Sequence, residues 1–273
     1  MIRNLTVPVF LALATAAAAA DVIVAKHGTF TGEVVRVEKT GVILRLPIGE
    51  MQIQKADIVR VTVEKPASVA EGQAALSAGK YAEAVAALKP VVDRYAGLPV
   101  PWVRDAMLAL GNAYTKLQDT DRAQAVLEKV AELYPDAVTG GATEIKLARV
   151  AVNQGKHAEA LATARKFIEP LLKKDPLTDA ERNNLAEALV VQGDCLRAAK
   201  EWPQALDSYL LVTTLFDEND ALTAEAAFKA GQVFEDMNNT KRAKETYQEL
   251  VRDYPNSPQA KKASQRLAAL EQQ

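Results

Sequence analysis

The sequence predicts a mainly α fold, an α-solenoid of stacked helical hairpins preceded by a small all-β barrel. Three observations carry that prediction. Gly111 to Pro135 (GNAYTKLQDTDRAQAVLEKVAELYP) and Gly231 to Pro255 (GQVFEDMNNTKRAKETYQELVRDYP) repeat one pattern 120 residues apart: Gly, an aromatic three on, Ala at twelve and Pro at twenty-four. Residues 21–65 instead alternate β-branched and polar side chains, the period of half-buried strands. The balance of 49% hydrophobic against 25% charged residues is that of a folded chain, so neither segment reads as disorder.

The first element is MIRNLTVPVFLALATAAAAA, with one cation, Arg3, then an uncharged apolar run, then small residues up to Asp21. That run is too short and too Ala-rich for a membrane span and has the order of a secretory signal peptide over residues 1–20, cleaved after Ala20. An uncleaved N-terminal anchor is the alternative. Loss of the leader removes one Arg and moves the net charge from −2 to −3, which leaves no basic excess to attract nucleic acid or an anionic membrane. No Cys stands at the cleavage site, and the lone Cys195 cannot form an intrachain disulfide, so stability must come from a hydrophobic core. A periplasmic or secreted protein is expected, with no membrane span after cleavage.

The second element is residues 21–65. Val35 and Val37 flank Arg36, Leu44 and Leu46 flank Arg45, Met51 and Ile53 flank Gln52, and Val59, Val61 and Val63 alternate with Arg60 and Thr62. Turn residues at Gly28, Gly32, Lys39 to Gly41 and Pro47 to Gly49 separate four or five short antiparallel strands. So small a sheet must close to protect its edges, and the segment resembles an SH3-like or Sm-like barrel. Sm-like folds often bind RNA. Here only Phe30 offers a stacking ring, so a docking or oligomerising module is expected.

The third element, residues 66–273, is the repeat array. Its five copies are anchored at Gly72 with Ala84, Gly111 with Ala123, Ala148 with Ala160, Gly193 with Ala205 and Gly231 with Ala243. Four residues beyond each second anchor stands Leu88, Leu127, Ala164, Tyr209 or Tyr247, which extends one apolar helical stripe. Between the anchors, LSAGKY, TKLQDT, VNQGKH, AAKEW and DMNNT supply turn residues. Thr178 to Glu181 forms a capping box that opens a helix, and Ser257-Pro258 opens a terminal helix covering the end of the stack.

Met107, Leu110, Gly111, Tyr114, Ala123, Leu127 and Pro135, with Ala230, Gly231, Phe234, Ala243, Tyr247 and Pro255, resemble the signature of the tetratricopeptide repeat. The third copy departs from it, with Ala148 for Gly and Pro170 for the usual terminal Pro. The ending YPNSPQAKKASQRLAAL is similar to exported tetratricopeptide proteins of bacterial cell envelopes, such as Tol-Pal-associated cell-division coordinators and outer-membrane assembly lipoproteins. The resemblance implies paired helices that approach where Gly and Ala stand, and a concave surface formed by the first helix of each pair.

Catalytic inventory is thin. His27 and His157 lie in different segments, Cys195 sits among Val191 and Leu196, and no phosphate-cradling loop, paired metal-ligand spacing or nucleophile elbow occurs. No catalytic residue, cofactor or metal is therefore expected. By the resemblance to the family, the expected partner-binding groove combines an apolar row three before each anchor (Val69, Leu108, Ile145, Val190, Phe228) with a polar row one after it (Gln73, Asn112, Arg149, Asp194, Gln232). Such rows suit a protein or peptide partner, though the apolar one serves equally as core between hairpins. The two-carboxylate clamp of chaperone-binding relatives is not expected: Asn112 matches one member, but Val69, Gln73 and Ile145 replace its lysines. The functional expectation is a non-enzymatic exported adaptor. The alternative is a self-assembling structural protein of the cell envelope, homo-oligomerising through the β module.

Overall fold

The structure, a computed structural model, describes residues 20–135, 141–216 and 220–271. Apart from Ala20, the expected leader lies outside them. The chain divides into two compact units, one ending at Glu64 and including Leu98–Val100, the other comprising Lys65–Gly97 and Pro101–Gln273.

The first unit is an antiparallel five-stranded sheet of β1 (Asp21–Ala25), β2 (Gly28–Val37), β3 (Gly41–Leu46), β4 (Gly49–Gln54) and β5 (Ile58–Thr62), ordered β4-β3-β2-β1-β5. A single 3₁₀ turn, Lys55–Asp57, precedes β5. Strand β2 is long enough to serve two ladders: Gly28 to Gly32 pair with β1, and Glu33 to Val37 with β3. The core is Ile23, Val34, Val42, Leu44, Ile53 and Val61.

The expected alternation fails at two places. In β2 the buried residue is Val34 rather than Val35 or Val37, because the register slips between Val34 (opposite Leu44) and Arg36 (opposite Ile43). A bulge of this kind switches the strand's inward face. On β5, Val59 is 67% exposed instead of facing the core with Val61.

The second unit contains eleven helices among the described residues. Five hairpins pair α1 (Ala67–Ser77) with α2 (Tyr81–Tyr95), α3 (Pro101–Lys116) with α4 (Thr120–Leu133), α5 (Ala142–Asn153) with α6 (His157–Leu172), α7 (Asp179–Ala198) with α8 (Trp202–Leu215), and α9 (Asp220–Asp236) with α10 (Thr240–Asp253). Helix α11 (Pro258–Glu271) follows. Both expected caps are present. Thr178 and Glu181 reciprocate as a capping box, and Ser257 Oγ accepts from the Ala260 N–H at 3.0 Å. Lys174 and then the Thr178 N–H hold the Glu181 carboxyl down at about 2.

The hairpins are locked by one steric device. Each anchoring Gly faces the residue sixteen later, so that an added Cβ would lie 2.5 Å from Leu88 Cγ at Gly72 and 2.8 Å from Leu127 Cδ2 at Gly111. At Gly193 it would lie 2.5 Å from Tyr209 Cε1, and Gly231 meets Tyr247 in the same way. The second anchors, Ala84, Ala123, Ala160, Ala205 and Ala243, are all fully buried. Each turn reverses through a left-handed residue seven past the first anchor: Gly79, Gln118, Gly155, Lys200 and Asn238.

The third hairpin uses a different solution, Ala148 with Ala164, both buried. Here the Cβ of Ala148 occupies the place that Gly leaves open elsewhere, so no large side chain fits opposite. Ala164→Leu alone should cost ~1–3 kcal/mol by overpacking, and Ala148→Gly added to it should recover most of that loss. Urea unfolding of the two single variants and the double variant measures the coupling. Additive effects would mean that the two positions do not face each other.

Candidate binding surface in the solenoid interior

The first helix of each hairpin lines the inside of the array, and the expected groove residues divide there into two groups. Val69 (1% exposed), Ile145 (0%) and Val190 (0%) are sealed in the core, while Leu108 and Phe228 are half-buried. Three of the five are therefore core residues, and Phe228 packs against Tyr247 of its own hairpin, so the row offers no continuous surface to a partner.

Most of the polar row does face inward. Gln73 is exposed, and Asn112 and Arg149 line a cavity of about 180 Å³. Asp194 accepts from Lys229 Nζ at 2.6 and 2.7 Å and from the Tyr209 hydroxyl at 2.7 Å. The Gln232 carbonyl accepts from Arg197 Nη1 at 2.8 Å, and Arg197 Nε donates to Asp236 at 2.6 Å.

At the centre is Glu225 on α9, which the sequence reading did not single out. Its Oε2 accepts from Lys116 Nζ of α3 at 2.6 Å, and its Oε1 from Arg149 Nη1 of α5 at 2.7 Å, with Lys229 Nζ 3.1 Å away. Burial pushes this carboxyl upward, but Arg149, Lys116 and Lys229 outweigh that and hold it well below the ordinary value. Lys116 is pulled down, first by burial and then by Arg149 and Lys229, against the pull of Glu225. On α7, Glu187 accepts from Lys146 Nζ of α5 at 2.8 and 3.0 Å, and the pair adjoins Arg149.

A signal for these residues exists in the repeat register. Glu187 and Glu225 both stand six before their anchors, and Lys146 and Lys229 both stand two before theirs. In the fifth repeat both positions are charged, whereas the fourth has Val191 at −2 and the third Ala142 at −6, so the signal is confined to single repeats. The array also curves far enough to meet itself. Tyr81 of the first hairpin shares the cavity with Glu225, and a Cβ at Gly79 would lie 2.5 Å from Pro258 Cγ of α11.

The remaining singled-out groups lie apart from this cluster. His27 is exposed in the β1–β2 turn, and His157 opens α6 with its Nδ1 buried. Cys195 is buried, and burial followed by Asp194 pushes its thiol up to about 11, so it stays protonated at neutral pH. Among the described residues no group of three or more His, Cys, Asp or Glu could hold a metal ion, and no helix is long and apolar enough to cross a membrane.

Family models described as tetratricopeptide repeat match residues 69–138 and 225–257. No curated protein matches the chain. Similar solved structures include the apo form of RapI, at 13% identity, covering 67% of this chain and 68% of that one with a TM-score of 0.47. MamA AMB-1 follows at 22% identity, 67% and 95% coverage and a TM-score of 0.38. A Podosopora anserina putative kinesin light chain with nearly identical TPR-like repeats has 19% identity, 69% and 93% coverage and a TM-score of 0.40. The first two hairpins and the fifth carry the matched segments, and the two between them continue the same order of paired helices, the third with its Ala148–Ala164 variant, so the helical unit is a tetratricopeptide-type solenoid with its repeats recognisable at both ends.

Proposed function

We propose that the protein is an exported, non-enzymatic adaptor of the bacterial cell envelope that engages a protein or peptide partner through the interior of its solenoid. Tetratricopeptide repeats generally serve as protein-binding scaffolds, which sets the class. The observation that carries the reading is the alignment of Asn112, Arg149, Asp194 and Gln232 from four successive hairpins along one polar inner wall beside a cavity. Polar groups held in fixed register by rigid helices orient a bound segment. Export is supported by the leader pattern and by the position of Asp21. This first residue after the proposed cleavage begins β1, and its carboxylate accepts from the Val34 N–H at 2.8 Å. The likeness of the β unit to SH3-like or Sm-like barrels, and of the C-terminal region to Tol-Pal-associated coordinators, belongs to the same reading.

A photo-crosslinking amino acid placed at Asn112, and separately at the exposed Gln248 of α10, tests it in living cells. Covalent capture of a defined protein from position 112 but not from 248 is the expected result, with the recovered chain beginning at Asp21 by mass spectrometry. Equal capture from both positions, or none from 112, removes the interior as the binding surface.

A second reading, self-assembly through the β unit, draws on the two end strands of its sheet. Strands β4 and β5 each have a single ladder partner, and Ile48 beside β4 and Val59 on β5 are 94% and 67% exposed. Light scattering on the whole chain decides, since a monomer at high concentration removes this reading.

A further inference from the structure

We infer that the outer face of α8 is a contact between two copies of this chain, an isologous dimer interface centred on Leu210 and Thr214. The five hairpins supply an internal comparison. Seventeen residues past each first anchor, on the outside of the second helix, stand Lys89, Glu128, Arg165, Leu210 and Gln248, all exposed. Four residues further, along the same face, stand Asp93, Glu132, Glu169, Thr214 and Arg252, again all exposed. Hairpins one, two, three and five thus present a charge at one or both positions, and the fourth presents none.

Packing within the chain does not account for the difference. Leu206 and Leu211 of α8 join the core cluster of the neighbouring hairpins, whereas Leu210 and Leu215 lie outside it and are 40% and 46% exposed. An isolated exposed Leu means little. Here Leu210, Leu211, Thr214 and Leu215 make an uncharged band over the last two turns of a helix whose single charged residue is Asp207.

Charge and shape both point to a second copy as the occupant. A two-fold contact presents one patch to itself, so every charge in it meets its like; this band has none to repel. The net charge of −2, or −3 without the leader, adds little long-range repulsion between copies. Beside the band, a cleft of about 250 Å³ opens between α8 and α10, lined by Leu210, Thr213, Ala227, Ala230 and Leu250. Its charged lining residues, Glu249 and Asp253, belong to α10. Protruding leucines next to a recess on one face are what a self-complementary contact requires, and contacts between identical chains are the more apolar kind.

Sedimentation equilibrium of the full chain over a range of concentrations should show monomer and dimer. Leu210→Lys combined with Thr214→Asp, which copies the Lys89–Asp93 pair of α2 onto α8, should weaken the dimer about ten-fold or more. Helix α2 already carries that pair on its outer face, so the double variant should fold, as a circular dichroism spectrum matching the parent's would verify. Val59→Thr on β5 should leave the dimer unchanged. Thr214→Cys should give a disulfide-linked dimer on mild oxidation and Glu132→Cys, at the same register on α4, none; the buried Cys195 does not compete. A monomer throughout, a dimer equally tight in the folded double variant, or one lost on Val59→Thr but kept in the double variant overturns the inference. Capture at position 112 is read separately, so the adaptor reading survives or falls on its own result.

Discussion

Glu225→Gln is expected to destabilise the protein by ~3–5 kcal/mol, a large part of the stability of a typical domain. The substitution is nearly isosteric, so the cost is electrostatic. Lys116, Arg149 and Lys229, drawn from three helices, would share a largely buried space with no central counter-charge. Urea unfolding at neutral pH measures the loss. Adding Lys116→Met should restore part of it, because Lys116 is the cation whose charge is already strained by burial and by its neighbours.

The pH dependence has a definite sign. The Glu225 carboxyl sits below its ordinary value in the folded protein, so its contribution is fully present above the unfolded value of 4.5. It is lost as pH falls through the lower folded-state value. The parent should therefore lose stability on acidification over that range, and Glu225→Gln should flatten the limb. A variant within about 0.5 kcal/mol of the parent at neutral pH, with an unchanged acid limb, would show that the three cations do not depend on this carboxylate.

Gly193→Ala is expected to cost ~1–3 kcal/mol although it adds a single methyl group. In an exposed mid-helix position the same change would stabilise, because Ala is the better helix former. Here the new Cβ would lie 2.5 Å from Tyr209 Cε1, and the ring cannot yield. Tyr209 is fully buried and its hydroxyl is tied to Asp194, which also holds Lys229. Moving the ring would disturb the ion pairs of the inner wall, so a lowered unfolding midpoint should accompany altered Lys229 chemical shifts. A neutral or stabilising effect would mean that α7 and α8 are not in contact at this crossing.

Much of the fold was legible because the repeat imposes the same local requirement in four of its five copies, and a variant of it in the third. Gly at 72, 111, 193 and 231 has to be small at one crossing, and the turn segments, the Thr178 capping box and the Ser257 cap follow from short-range chemistry. The inner wall was legible only in part. Asn112, Arg149, Asp194 and Gln232 share a register position and point inward together. Val69, Ile145 and Val190 share one too, yet they are buried, because a repeat register does not tell an inner-wall side chain from a core one. Glu225 was missed for a different reason: its partners Lys116 and Arg149 lie 109 and 76 residues away, and their meeting depends on the curvature of the whole array. The bulge in β2 was hidden likewise, since Val35 and Val37 fit the alternating pattern and only pairing with β3 selects Val34.

The meeting of Gly79 with Pro258, and of Lys116 with Glu225, changes what kind of polymer this chain is. In an open array each repeat senses only its neighbours, so end repeats fray and truncations are absorbed locally. Here the two ends also touch, so the loss of the last helix is expected to be felt at the first hairpin, and the array is expected to melt more cooperatively than an open one. Closure of such long loops slows folding but suppresses fraying.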